Sequence, residues 1–85
     1  MNKDFSDNAW HDYQWLAKND KRLLKRVNQL IKAIDRTPFE GLGKPEPLHG
    51  DLSGFSSRRI NEKDRLIYAV DETTIHIAAC RSHYE

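Results

Sequence analysis

All three prolines and all four glycines of this 85-residue chain fall inside residues 37–54, TPFEGLGKPEPLHGDLSG. Glycine and proline are the strongest local breakers of regular structure, so this segment is turn and extended chain. It also divides the sequence, because neither flank contains a breaker and each is free to form regular elements. A long irregular segment in a compact domain is usually functional or disordered. Here Leu42, Leu48, Leu52 and Phe55 recur along it, which argues that it is pinned to a core.

The N-terminal flank has helical periodicity. In SDNAWHDYQWLAK, Ser6 can cap a first helix, Asp7 suits its positive end, and Trp10, Tyr13, Leu16 and Ala17 share a helical spacing. KND breaks the pattern, and Asp20 can cap a second helix in which Leu23, Leu24, Val27, Leu30, Ile31 and Ile34 form one apolar stripe. Pro38 forces that helix to stop a residue or two earlier. An antiparallel helical hairpin is expected.

The C-terminal flank alternates instead. FSSRRI, DRLIYAV and IHIAACR read as a three-stranded antiparallel meander. With Glu72 and Thr73 at a hairpin tip, Val70 faces Ile75, Tyr68 faces Ile77 and Leu66 faces Ala79. Those six would form the face that packs on the helices, leaving Arg65, Ile67, Ala69, His76, Ala78 and Cys80 on the other. NKDF can add a short N-terminal edge strand, on a weak signal. The expected class is α+β, two N-terminal helices packed on a twisted antiparallel sheet, with residues 1–85 as one domain.

Composition excludes several alternatives. One cysteine forms no intrachain disulfide, MNKDFSDNAW has no apolar core of a secretory signal, and LIYAV is too short to span a membrane. A reducing cytoplasm is the expected compartment. Net charge is only +1, but Lys18, Lys21, Arg22, Lys25, Arg26, Lys32 and Arg36 outnumber Asp20 and Asp35 between residues 18 and 36. Arg58, Arg59, Lys63 and Arg65 form a second basic group. Such runs suit a solvated helix face or a phosphate-facing surface.

His11, His49, His76, His83 and Cys80 do not have the spacing of a closed zinc site, so no metal or other cofactor is expected. GLGKPEP lacks the spacing of a phosphate loop, and Cys80 reads as a small half-buried strand residue. What remains is a carboxylate, an arginine and an imidazole. Glu46 lies between two prolines that hold its backbone extended, Arg65 lies on a strand, and His83 lies near the end. Singly, these fit an exposed loop acid, a solvent-facing strand residue and a frayed tail residue. Together they match metal-free RNA cleavage, in which the 2′-hydroxyl attacks the adjacent phosphate. A glutamate of ordinary pKa ~4.3 starts ionised at neutral pH, and a histidine of ~6.5 starts partly protonated.

The stretches TPFEG, GKPEPL, LSGF, SRRI, RLIYAV and the terminal HY, with the DKRLLKRVNQLI helix, closely resemble the YoeB (Txe) family of type II toxins within the RelE/ParE superfamily. The resemblance spans essentially the whole chain. It implies a RelE/ParE-like fold and a ribosome-dependent endoribonuclease that cuts mRNA in the A site. Carried over, Glu46 is the general base, His83 the general acid, Arg65 the stabiliser of the phosphorane, and Tyr84 a positioning group. Arg59 would support phosphate binding, with Arg58, Lys44 and His49 as weaker RNA contacts. The implied partners are an antitoxin of YefM/Phd type, the ribosome with its A-site message, and operator DNA only through the antitoxin complex. A homodimer stays open, and no membrane is involved. Antitoxin inhibition would work partly by displacing His83 and Tyr84. Two departures from the family pattern are the extra Glu85 and a less apolar N-terminus. The competing functions are a non-catalytic toxin that binds a protein target and a plain RNA- or ribosome-binding module.

Overall fold

The computed structural model describes residues 1–83, the last two of them in their backbone only. In chain order it contains β1 (Asn2–Phe5), α1 (Asp7–Asn19), α2 (Lys21–Arg36), β2 (Glu46–Pro47), β3 (Ser56–Arg59), β4 (Asp64–Val70) and β5 (Thr74–His83). A single 3-10 turn, Gly50–Leu52, interrupts the loop after β2.

The helices begin and end where their side chains can satisfy free backbone groups. Ser6 Oγ accepts from Ala9 N–H at 3.1 Å and starts α1. Asp20 does two jobs: its own N–H reaches Leu16 O at 2.8 Å to close α1, and its carboxylate accepts from Leu23 N–H at 3.1 Å to open α2. An acceptor at the N-cap satisfies one of the orphan donors of a first helical turn. Helix α2 stops at Arg36, and Thr37 is extended ahead of Pro38.

The sheet has strand order β1-β5-β4-β3-β2. The three expected strands are antiparallel neighbours, but β1 pairs in parallel with β5, Asn2 opposite Thr74 through Phe5 opposite Ile77. The sheet is therefore mixed rather than purely antiparallel. A polar sequence suits β1 because it lies on the edge, with only Phe5 partly buried. At the other edge β2 is a strand of two residues inside the segment read as irregular.

One face of the sheet carries the helices. Ala9, Leu16, Val27, Leu30, Ile31 and Ile34 bury against Leu66, Tyr68, Ile75, Ile77 and Cys80. Val70 faces Ile75 and Tyr68 faces Ile77 as the alternation predicts, but Leu66 does not face Ala79. The β4–β5 register shifts between Ile67 and Tyr68 and again between Arg65 and Ile67, so Ala79 lies opposite Ile67 and Ser82 opposite Arg65. An irregularity of this kind inserts an unpaired residue and bends the strand. The consequence is that Cys80, expected on the open face and half-buried, lies in the helix-packed core with no exposed surface. Burial, with the Asp12 carboxylate nearby, pushes its thiol up to about 12, which makes it an unreactive packing residue.

Candidate active site

The other face of β3 and β4 collects the charged groups. Arg59 and Arg65 are direct cross-strand partners, and Glu46 on β2 lies opposite Ser57 of β3. Two cations placed opposite one another destabilise a sheet unless an anion lies between or beside them. Glu46 partly supplies that charge, its carboxylate being 3.9 Å from the Arg65 guanidinium. Arg65 also donates to Ser57 Oγ at 3.3 Å, and its side chain is only 19% exposed against 61% for Glu46. The arginine is thus seated and the carboxylate is open. On the opposite side of β4, the β5 backbone places Ser82 beside Arg65 and His83 beside Asp64.

Glu46 is positioned by its loop. Pro45 and Pro47 restrict the backbone around it. Leu48 N–H donates to Phe55 O at 2.8 Å, and Leu48 is buried. Upstream, Gly43 O accepts from Arg59 N–H at 2.7 Å, so the loop crosses close over β3. Gly43 has φ +88°, and a Cβ there would stand 2.7 Å from Leu30 Cδ2 and 3.1 Å from Arg58 Cβ. Only glycine fits that crossing.

Arg58 corrects an expectation. Named as an RNA contact, it has no exposed surface. Its guanidinium donates to Tyr68 Oη at 3.1 Å, Leu42 O at 3.0 Å, Glu40 O at 2.9 Å, and Thr37 O. Tyr68 Oη in turn donates to Pro38 O at 2.6 Å. Arg58 is therefore a staple that fastens the start of the loop carrying Glu46. Strand alternation separates it from Arg59, which is exposed on the other face. Lys44 and His49 are exposed on the same loop. Tyr84 and the His83 side chain lie outside the described residues, as does Glu85.

Sequence reading missed two features here. Ser57 is buried beneath the arginine it orients, and only its strand partnership with Glu46 reveals it. Beside Glu46 is an open hollow of about 330 Å³ lined by Phe39, Pro45, Pro47, Gly54, Phe55 and Ser56. Phe39 is 67% exposed, although an aromatic ring normally seeks cover. Its neighbour Pro38 was the only signal, and it spoke of a helix end.

Comparison with known proteins decides the family. The model describing the YoeB-like toxin of bacterial type II toxin-antitoxin systems matches residues 5–84. This chain belongs to the YoeB family. Toxin YoeB of Synechocystis is 56% identical to it over 81 residues, 95% of this chain and 94% of that protein. The solved YoeB/ParE toxin from Agrobacterium tumefaciens is 41% identical and superposes with a TM-score of 0.95, covering 99% of this chain and all of the other. The Staphylococcus aureus YoeB is 48% identical over 99% of this chain and 98% of its own. It has been solved as a dimer (TM-score 0.94) and as a heterotetrameric YoeB–YefM toxin-antitoxin complex (TM-score 0.92). As a YoeB-family member the chain is a toxin of a type II toxin-antitoxin system with the α+β fold of that group. Among the described residues no helix is long and apolar enough to cross a membrane.

Proposed function

We propose that this YoeB-family toxin is a ribosome-dependent endoribonuclease that cuts messenger RNA in the A site and thereby stops translation. The 2′-oxygen attacks the adjacent phosphorus while Glu46 takes its proton. The P–O5′ bond then breaks, His83 gives a proton to the departing 5′-oxygen, and a 2′,3′-cyclic phosphate remains. Arg65 neutralises the charge that builds on the phosphorane, a role that arginine fills without losing its own charge. Arg59 holds the phosphate from the next strand, and Tyr84 positions the substrate. Lys44 and His49 add weaker RNA contacts. The exposed Phe39 ring and its hollow offer a stacking surface for a flanking base.

The observation that carries this proposal is the 3.9 Å separation of the Glu46 carboxylate and the Arg65 guanidinium on one open sheet face. A base must reach the 2′-proton while a cation holds the phosphate on the neighbouring 3′-oxygen, and these two groups are close enough to share a nucleotide. The contact is also long enough to be loosened by an entering phosphate. On the helix-covered face Arg58 is no rival for the role, because its donors are taken by backbone carbonyls.

The proposed partners follow from the same family. A cognate antitoxin of YefM/Phd type neutralises the toxin, operator DNA is contacted only through that complex, and self-association into a homodimer is open to this chain as to the S. aureus YoeB. Ribosomal action would place the protein in the cytoplasm.

The deciding experiment is cleavage of a programmed message on purified ribosomes by the native chain, Glu46→Ala and His83→Ala. The expected result is one A-site cut with a cyclic or 3′-phosphate end, severely reduced in both variants. An uncut message with translation still blocked would mean inhibition by occupancy.

A further inference from the structure

Strand β5 outruns the strand beside it. β1 ends at Phe5 opposite Ile77, and Ser6 N–H still reaches Ile77 O at 2.9 Å. From Ala78 onward no strand pairs on that side among the described residues, and backbone groups left unpaired there would carry a free-energy cost if buried. Helix α1 takes over from β1. Ser6 Oγ donates to Ala78 O at 2.9 Å, and Asp12 Oδ2 accepts from Cys80 N–H at 3.2 Å. Cys80 Sγ donates to Ala9 O at 3.5 Å, and the Arg81 guanidinium lies 3.5 Å from the centroid of the Trp15 ring.

Ser6, Ala9, Asp12 and Trp15 are spaced by three, so they form one ridge of the helix and its cap. Their partners advance along β5 in the same order, Ala78, then Cys80, then Arg81. Ala9 is small and fully buried, which allows the close approach. The same stretch of β5 contains both register irregularities against β4, so it is where the regular ladder grips least. Immediately beyond it are Ser82, opposite Arg65, and His83.

We propose that the Ser6–Ala9–Asp12–Trp15 ridge is a splint that sets where the end of β5 lies, with Asp12 a positioning residue for cleavage, a role that rests on the cleavage function proposed above. Asp12 acts through the chain that carries His83: it accepts the Cys80 N–H just past the end of β1, where the ladder to β4 is irregular. Displacement of a catalytic group by an ångström is enough to slow a reaction about 100-fold while the substrate still binds.

The test compares Asp12→Ala with Asp12→Asn, whose amide oxygen can accept the same hydrogen bond without the charge. On programmed ribosomes, Asp12→Ala should slow single-turnover cleavage about 10- to 100-fold with its half-saturating concentration unchanged, and Asp12→Asn should restore most of the rate. Native-rate cleavage by Asp12→Ala, equal impairment of both variants, or a change in half-saturation alone would overturn the proposal. Amide hydrogen exchange provides a readout independent of cleavage. Asp12→Ala should speed exchange from Cys80 to His83 while Leu66 and Tyr68 stay protected, and uniform acceleration would reduce Asp12 to a general stabiliser and overturn the proposal. Trp15→Leu, which keeps apolar bulk but removes the ring over Arg81, takes the place of Asp12→Ala if that variant fails to fold. If the native chain cuts no message, the cleavage function falls, and the exchange pattern still judges the splint.

Discussion

Arg58 and Arg65 belong to adjacent strands of one sheet and use the same guanidinium in opposite ways. Arg58 is on the helix-packed face with no exposure, its donors spent on a tyrosine and three backbone carbonyls. Arg65 is on the open face, holding Ser57 and a loose carboxylate, and its side chain keeps 19% exposure. A cation whose donors are all answered by the protein supports the fold. One that meets, among the described residues, only a hydroxyl and a carboxylate 3.9 Å away, beside an unfavourable like charge, is available to an anion. Burial and partner count, rather than residue type, separate the scaffold arginine from the functional one.

That contrast can be broken most directly by truncating each arginine. Arg65→Ala should lower ribosome-dependent cleavage by about 10²- to 10³-fold, the scale of losing one preorganised stabiliser of transition-state charge, with little change in the urea midpoint. Arg58→Met should do the reverse. It leaves carbonyls of the loop without their charged donor and should cost about 3 kcal/mol in urea unfolding. Comparable loss of stability in both variants would remove the distinction.

A smaller effect tests the helix layer alone. Asp20→Ala removes the side-chain acceptor at the start of α2 but leaves the backbone bond that ends α1. Equilibrium unfolding should report a loss of about 1 kcal/mol, with cleavage intact at temperatures well below the melting transition.

The smallest expected effect is on the open face and depends on pH. His76 Nε2 is 2.7 Å from Asp71 Oδ2, and Nδ1 is 3.2 Å from Asp4 Oδ2, so the imidazole joins the β4–β5 turn to β1. The hydrogen bond to Asp71, followed by that to Asp4, raises His76 above its ordinary 6.5. The same bond from His76, with backbone N–H groups of Thr73 and Thr74, holds Asp71 down to about 2. The folded state binds the imidazole proton more tightly than the unfolded chain. The histidine's contribution to stability is therefore complete below 6.5 and lost as pH rises through the raised value. The contribution of Asp71 is present above its ordinary 3.8 and lost as pH falls through about 2. His76→Gln should accordingly lower the melting temperature in mildly acidic buffer and converge on the native value in alkaline buffer. An equal difference at both ends would assign His76 to packing instead.

Short-range patterns carried the elements. Ser6 and Asp20 marked the helix starts, the apolar stripe of α2 marked its buried face, and the alternation in DRLIYAV paired Val70 with Ile75 and Tyr68 with Ile77. Pro45 and Pro47 likewise brace the backbone around the Glu46 carboxylate. These features depend on residues within a turn or a hairpin of one another, so the sequence determines them by itself. The parallel pairing of β1, the register shifts in β5, the burial of Arg58 and Cys80, and the meeting of Asp12 with Cys80 could only be decided by the tertiary structure. The β1 pairing, the Arg58 bonds and the Asp12–Cys80 contact join groups far apart in the chain, where backbone polar groups needed a partner once the layers had packed. The register shifts, though within one hairpin, turn Cys80 into the core beneath the helices. A carbonyl or an N–H has no identity in the sequence, so the side chain that must answer it becomes visible only when the chain has brought the two together.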